Sequence, residues 1–158
     1  MNPMLAGLAP LLGDGNIGGA QNEKGESVLT YQIKDGAFYN GDQLVCEMED
    51  YPIIDSKEKV AVLLSRYTAS SGELVAVAFK HRPFTRFIGE ATAGFVTGNG
   101  YTPIHDEIIM MISETYFADR LNNAYQEKVE VDEEMMFDHS VNDLNDPQII
   151  RALEWLIN

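Results

Sequence analysis

The chain has one cysteine, Cys46, so it can close no disulfide within itself and build no cysteine-based zinc site. Basic residues are scarce: 11 Lys and Arg stand against 25 Asp and Glu, a formal net charge of −14. Phosphate backbones are gripped by clustered Lys and Arg, so this balance argues against nucleic acid, and equally against an anionic membrane surface. It fits a generally acidic exterior, or partners that are cationic. The three histidines, His81, His105 and His139, lie far apart without the spacing of a metal site. No metal and no cofactor is expected.

Long hydrophobic runs are missing too. The segment 1–13, "MNPMLAGLAPLLG", is apolar, but it is short for a span, holds two prolines and has no basic residues. It reads as a short amphipathic helix from Pro3 to about Leu12 ended by Gly13, and not as a signal peptide or membrane helix. With 45% apolar residues over 158 positions, the chain can bury the core of a single domain.

No internal repeat is visible. Residues 13–27 are rich in glycine and polar side chains and read as a loop. They contain Gly13-Asp14-Gly15-Asn16-Ile17-Gly18, formally G-x-G-x-x-G. A dinucleotide site needs that motif between a strand and a helix, and here turn residues are the simpler reading. Runs at 27–33, 36–40 and 43–48, separated by Asp35-Gly36 and Asn40-Gly41, predict a small antiparallel meander. Residues 51–58 read as a connector.

"KVAVLLS" (59–65) is a continuous apolar run typical of a strand buried on both faces. Residues 71–81 space Leu74, Val75, Ala78 and Phe79 for one helical face. A strand is expected at 84–90, a glycine-punctuated loop at 91–100 and a long strand at 106–119. In that strand Ile108, Met110, Ile112 and Glu114 share one face. A polar loop with an acidic run follows over 120–138, passing into an edge segment. Asp146 and Pro147 suit the N-cap and first residue of a closing helix. The order gives α/β with a mixed sheet.

Between the strand at 59–65 and the helix at 71–81 stands "TASSGE", residues 68–73. Ser70-x-x-Glu73 is a capping box, which alone explains both residues. The same junction can present a nucleophile. A serine on a sharp strand-to-helix turn is pushed out of the sheet beside the free amides and positive end of the helix. The amide after it can then donate to a developing oxyanion, although a serine still needs a positioned base.

Thr68-Ala69-Ser70-Ser71-Gly72-Glu73, an intervening helix and strand, and Gly89-Glu90-Ala91-Thr92-Ala93-Gly94 together resemble the carboxy-terminal-processing, or tail-specific, serine protease family. That family includes the tricorn core protease and the nisin-resistance type, to which "TASSGE" is most similar. The resemblance covers about 1–12 and 59–157, and not convincingly the meander. It implies a ClpP/crotonase-like mixed sheet with flanking helices. The meander at 28–48 would be an insertion, and 1–158 the C-terminal part of a catalytic domain whose upstream part is missing.

It further implies that Ser70 matches the nucleophile, that the Ser71 amide matches an oxyanion donor, and that Glu90 is structural. Gly72, Glu73 and Met1 become candidate substrate contacts, with Glu73 first of all a helix cap. Members with a Ser–Lys dyad carry a lysine at the position of Phe95, so a Ser–His mechanism is expected. In relatives of that kind the histidine and a Gly-rich oxyanion loop lie upstream. Of the local histidines, His81 falls at the far end of the helix that Ser70 begins, about 16 Å away at 1.5 Å per residue. His105 stays open, and His139 lies in a polar tail.

The expected activity is therefore peptide-bond hydrolysis through an acyl-enzyme on Ser70, possible on cationic peptides such as lantibiotics. The fragment alone would be inactive or weakly active. The alternatives are a non-catalytic peptide-binding or structural relative, or an unrelated ligand-binding domain whose serines merely cap a helix. An extracytoplasmic or cell-envelope location is implied by the resemblance alone.

Overall fold

The computed structural model describes residues 2–47, 54–55, 57–136 and 145–158. Met1, His139 and half of the 51–58 connector lie outside the described residues.

The N-terminal segment forms two short helices, α1 (Asn2–Gly7) and α2 (Ala9–Leu12), where one was expected. Pro10 explains the break. Lacking an N–H, it cannot continue the hydrogen-bond ladder through Leu8. Gly13, at φ +76, closes α2 through its amide on the Ala9 carbonyl at 2.9 Å. Leu5, Ala6, Ala9 and Leu12 are buried on the inner face of the pair.

A loop was expected at 13–27, yet Gly15–Gln21 is strand β1. Its glycines are there because neighbouring backbones come too close for side chains. A Cβ on Gly18 would lie 2.4 Å from the Ala118 carbonyl oxygen, and one on Gly19 would lie 2.0 Å from that of Leu29. The formal glycine motif thus opens a strand, and no helix follows it. β2 (Ser27–Lys34), β3 (Ala37–Asn40) and β4 (Gln43–Cys46) form the expected meander. Asp35 and Gly36 both take positive φ at the tight turn between β2 and β3.

β5 (Val60–Leu64), α3 (Ser71–Phe79) and β6 (Thr85–Gly89) follow, with β5 and β6 parallel. β5 is buried at Val60 and Leu64 but open at Leu63, so burial on both faces holds only in part. β7 (Thr97–His105) begins inside the expected loop at 91–100. It pairs antiparallel with β8 (Ile108–Ala118), the long strand that was expected. Here again glycine makes room: a Cβ on Gly98 would meet Thr115 Oγ1 at 2.5 Å. β9 (Glu133–Glu134) is the edge segment, parallel to β6, and α4 (Pro147–Ile157) closes the chain. The Asp146 carboxylate accepts the Gln148 N–H at 2.7 Å, as an N-cap should.

The expected mixed α/β architecture holds, with the two kinds of pairing in separate sheets. Six antiparallel strands run β4-β3-β2-β1-β8-β7, and three parallel strands run β5-β6-β9. Helix α3 touches β1 and β8 of the first sheet and β5 of the second. Leu74, Val77 and Phe79 of α3 share one core with Ile17, Ile33, Phe38, Val96 and Phe117. The start of α3 is therefore fixed from both sides. Among the described residues, no helix is long and apolar enough to cross a membrane.

Candidate active site

The turn from β5 into α3 is built by short-range bonds. The Thr68 amide donates to the Ser65 carbonyl at 2.8 Å, and the Ser65 amide to Thr68 Oγ1 at 3.2 Å. Ser70 then takes φ +52 and ψ −114, a conformation that only glycine adopts without strain. Its side chain is exposed at the N-terminus of α3. First-turn amides of a helix have no partner four residues back. Here the Gly72 amide donates to the Ala69 carbonyl at 2.9 Å and the Leu74 amide to the Ser70 carbonyl at 3.0 Å. No acceptor among the described residues takes the Ser71 amide.

What holds the strained turn is Glu73. This carboxylate is fully buried. One oxygen accepts the Ser70 amide at 2.8 Å. The other accepts the Thr92 hydroxyl and, at 2.7 Å, the Gly94 amide. Thr92, also fully buried, accepts the Val129 amide on its hydroxyl oxygen at 2.9 Å. The Ala93 amide reaches the Thr68 carbonyl at 2.9 Å. The two sequence motifs are thus two halves of one hydrogen-bonded assembly, with Thr92 and Gly94 of the second stitched to Glu73 of the first. Gly89 serves the same closeness, since a Cβ there would lie 2.0 Å from the Leu64 carbonyl oxygen.

Two expectations change accordingly. Both Glu73 oxygens are engaged in the interior, so the geometry gives Glu73 a structural part in the turn, beside which the expected substrate contact has no free oxygen among the described partners. Gly72 packs near the Thr68 methyl, where a Cβ would sit 3.3 Å away, so its smallness serves its own turn. Met1 lies outside the described residues. Glu90 sits beside Arg66 at 3.8 Å, and its second carboxylate oxygen is buried without a partner among the described residues.

Ser70 and Ser71 stand at the edge of a groove of 370 Å³ between α3 and the antiparallel sheet. Tyr31, Asn99, Tyr101, Glu114 and Phe117 are among the residues across it. Sequence reading missed the β7 part of this wall, because the loop expected at 91–100 covers the start of β7 and no strand was expected over 101–105. Gly98 and Gly100, alternating with Thr97, Asn99 and Tyr101, were the available signal of a strand under crowded neighbours.

None of the described histidines lines the groove. His105 ends β7 at an exposed position. His81 pairs its Nε2 with the buried Asp119 at 3.2 Å, in a separate cavity of 320 Å³ with Lys80, Arg82 and Tyr125. Asp119 there also accepts the Tyr125 hydroxyl at 3.2 Å. Burial first, and then Asp119, pushes the Tyr125 phenol above its usual range, while burial lowers the Lys80 ammonium. Phe95, at the position where dyad members carry lysine, is exposed. Among the described residues no cluster could hold a metal ion.

A strained serine at the mouth of a strand–helix turn thus has an open amide beside it and a groove in front, a geometry in which a hydroxyl and an oxyanion donor can face one ligand. The sequence model of peptidase family S41 matches residues 6–135. The chain belongs to that family, the C-terminal-processing proteases. It is 30% identical over 126 residues to a nisin-resistance protein from Lactococcus lactis subsp. lactis, over 80% of this chain and 39% of that one. Its fold resembles that of a lipoprotein from Streptococcus agalactiae, with a TM-score of 0.63 and 21% identity, over 99% of this chain and 49% of that one. It likewise resembles a photosystem II D1 C-terminal processing protease, with a TM-score of 0.63 and 21% identity, over 96% of this chain and 35% of that one. The chain spans less than half the length of each of these relatives.

Proposed function

We propose that the chain carries the nucleophile side of a serine peptidase site, with Ser70 attacking a peptide carbonyl. The observation that carries this reading is the backbone of Ser70, φ +52 at the N-terminus of α3, exposed at the groove and held there by a fully buried carboxylate. Strain of that kind persists only where surrounding structure enforces it. In the proposed reaction Ser70 Oγ bonds to the carbonyl carbon, and its proton passes through a base to the leaving amine. The Ser71 amide donates to the oxyanion, and water then releases the acyl group.

The base is a histidine that is not among the described residues of the groove. On this reading it lies, together with a second oxyanion donor on a glycine-rich loop, upstream of the 158 residues. The net charge of −14 favours cationic peptides, and the nisin-resistance relative makes lantibiotic-type peptides the first to try. That relative and the lipoprotein neighbour support a cell-envelope location.

A second reading is favoured by one observation: no His or Lys shares the groove with Ser70 among the described residues. On that reading the chain binds peptides without cleaving them. A fluorophosphonate probe separates the two. The 158-residue chain alone should react slowly. With an upstream segment bearing the histidine and glycine-rich loop it should label at Ser70, and Ser70→Ala should abolish the label. An extended protein that stays unlabelled while still binding peptide supports the second reading.

A further inference from the structure

Among the described residues lining the Ser70 groove, Glu114 is the one acidic side chain, and no basic side chain joins it. It stands on β8, exposed, and also lines an adjoining cavity of 440 Å³ that reaches Lys24. Its carboxylate lies against the backbone of β7: a Cβ on Gly100 would fall within 2.2 Å of its Cδ. Gly100 therefore leaves the space in which that carboxylate rests. No ion pair or hydrogen bond among the described residues engages it, Lys24 included.

The other described residues of the groove wall are uncharged, and three aromatic rings, Tyr31, Tyr101 and Phe117, contribute to it. A carboxylate without a counter-ion, beside aromatic faces, matches one type of guest. The methylene stem of a lysine or arginine packs on rings, and its cationic end meets both the carboxylate and the ring faces. A neutral side chain leaves the carboxylate without a partner, and an acidic one is repelled. The net charge of the chain can steer cationic peptides towards it, but only a local charge can select a position within a peptide.

We infer that Glu114 is the specificity-determining residue of the groove, reading a Lys or Arg side chain of the bound peptide; this rests on the peptidase reading of Ser70. The test uses blocked peptides in which one position at a time is Lys, norleucine or Glu. Binding is followed by fluorescence anisotropy to the full chain carrying Ser70→Ala, so that no cleavage intervenes. At one position, Lys should bind about tenfold more tightly than norleucine, as a charge-assisted hydrogen bond allows. Glu114→Gln should remove that preference, and Glu114→Lys should turn it towards the Glu peptide. Gly100→Ser, which displaces the carboxylate without removing it, should weaken the preference several-fold.

Melting temperatures near that of the parent confirm that the variants fold. A Lys preference that survives Glu114→Gln overturns the inference, and so does the absence of any Lys preference in the parent. Fluorophosphonate labelling at Ser70 is read separately, so a failed nucleophile and a failed specificity residue give different results.

Discussion

The groove lies between the start of α3 and the antiparallel sheet, and its two sides are held in different ways. On the parallel side, β5, α3 and β6 are joined by buried polar groups, with Glu73 bonded to three donors and Thr92 bridging to Val129. On the antiparallel side, β7 and β8 extend as a hairpin whose two faces are both open: Ile109 and Met111 are 67% and 60% exposed, and Ile108 55%. The difference separates two tasks. On the proposed reading, the nucleophile is kept in a strained geometry by a locked turn, and the wall proposed to receive peptides is held by strand pairing and a few side chains. Selectivity on the open side can then vary without disturbing chemistry on the locked side.

The largest expected effect breaks the lock. Glu73→Ala strands the Ser70 amide, the Thr92 hydroxyl and the Gly94 amide in the interior. At about 1–3 kcal/mol for each unmet buried donor, stability should fall by about 4 kcal/mol in urea denaturation. Probe reactivity at Ser70 should be lost with it. Gly89→Ala comes next. Its Cβ would press on the Leu64 carbonyl at a φ of +127, at a cost of about 3 kcal/mol, read in the same experiment.

Smaller is the clamp on α4. Glu133 bonds both Arg151 and Arg86, and these hydrogen bonds hold its carboxyl below the usual range. A group lowered on folding contributes stability above its unfolded pKa, and that contribution is lost as pH falls through the folded one. Glu133→Gln should therefore lower the melting temperature at pH 7, and the gap from the parent should close in acid. Smallest of all is Ile109→Thr on the hairpin, expected to stay within about 0.5 kcal/mol of the parent. A large loss there would erase the contrast between the two sides.

The locked side was the more legible in sequence. A continuous apolar run, a capping box and a helical stripe are local signals, and β5, α3, β6 and the Asp146 cap all came out where those signals put them. β1 and β7 were missed for one shared reason. Their glycines read as turns, while the cause of those glycines is the approach of distant backbone or side chains, Leu29 and Ala118 against β1 and Glu114 and Thr115 against β7. Such contacts are long-range in sequence and leave no periodic trace. The same holds for Glu73: the capping box was visible, but its burial depends on Thr92 and Gly94, some twenty residues away. With β7 unread as a strand, the part of the groove wall that carries Asn99 and Tyr101 was hidden, while Glu114 was legible only as one face of β8 and not as part of a groove.

The central claim is that the locked turn presents Ser70 as a nucleophile. The most direct measurement is mass spectrometry of the fluorophosphonate-treated protein, made with the upstream histidine-bearing segment, digested and searched for the adduct. The account predicts the adduct on Ser70, fast in the parent and absent in Ser70→Ala. An adduct on any other residue, or one that persists in Ser70→Ala, would contradict it.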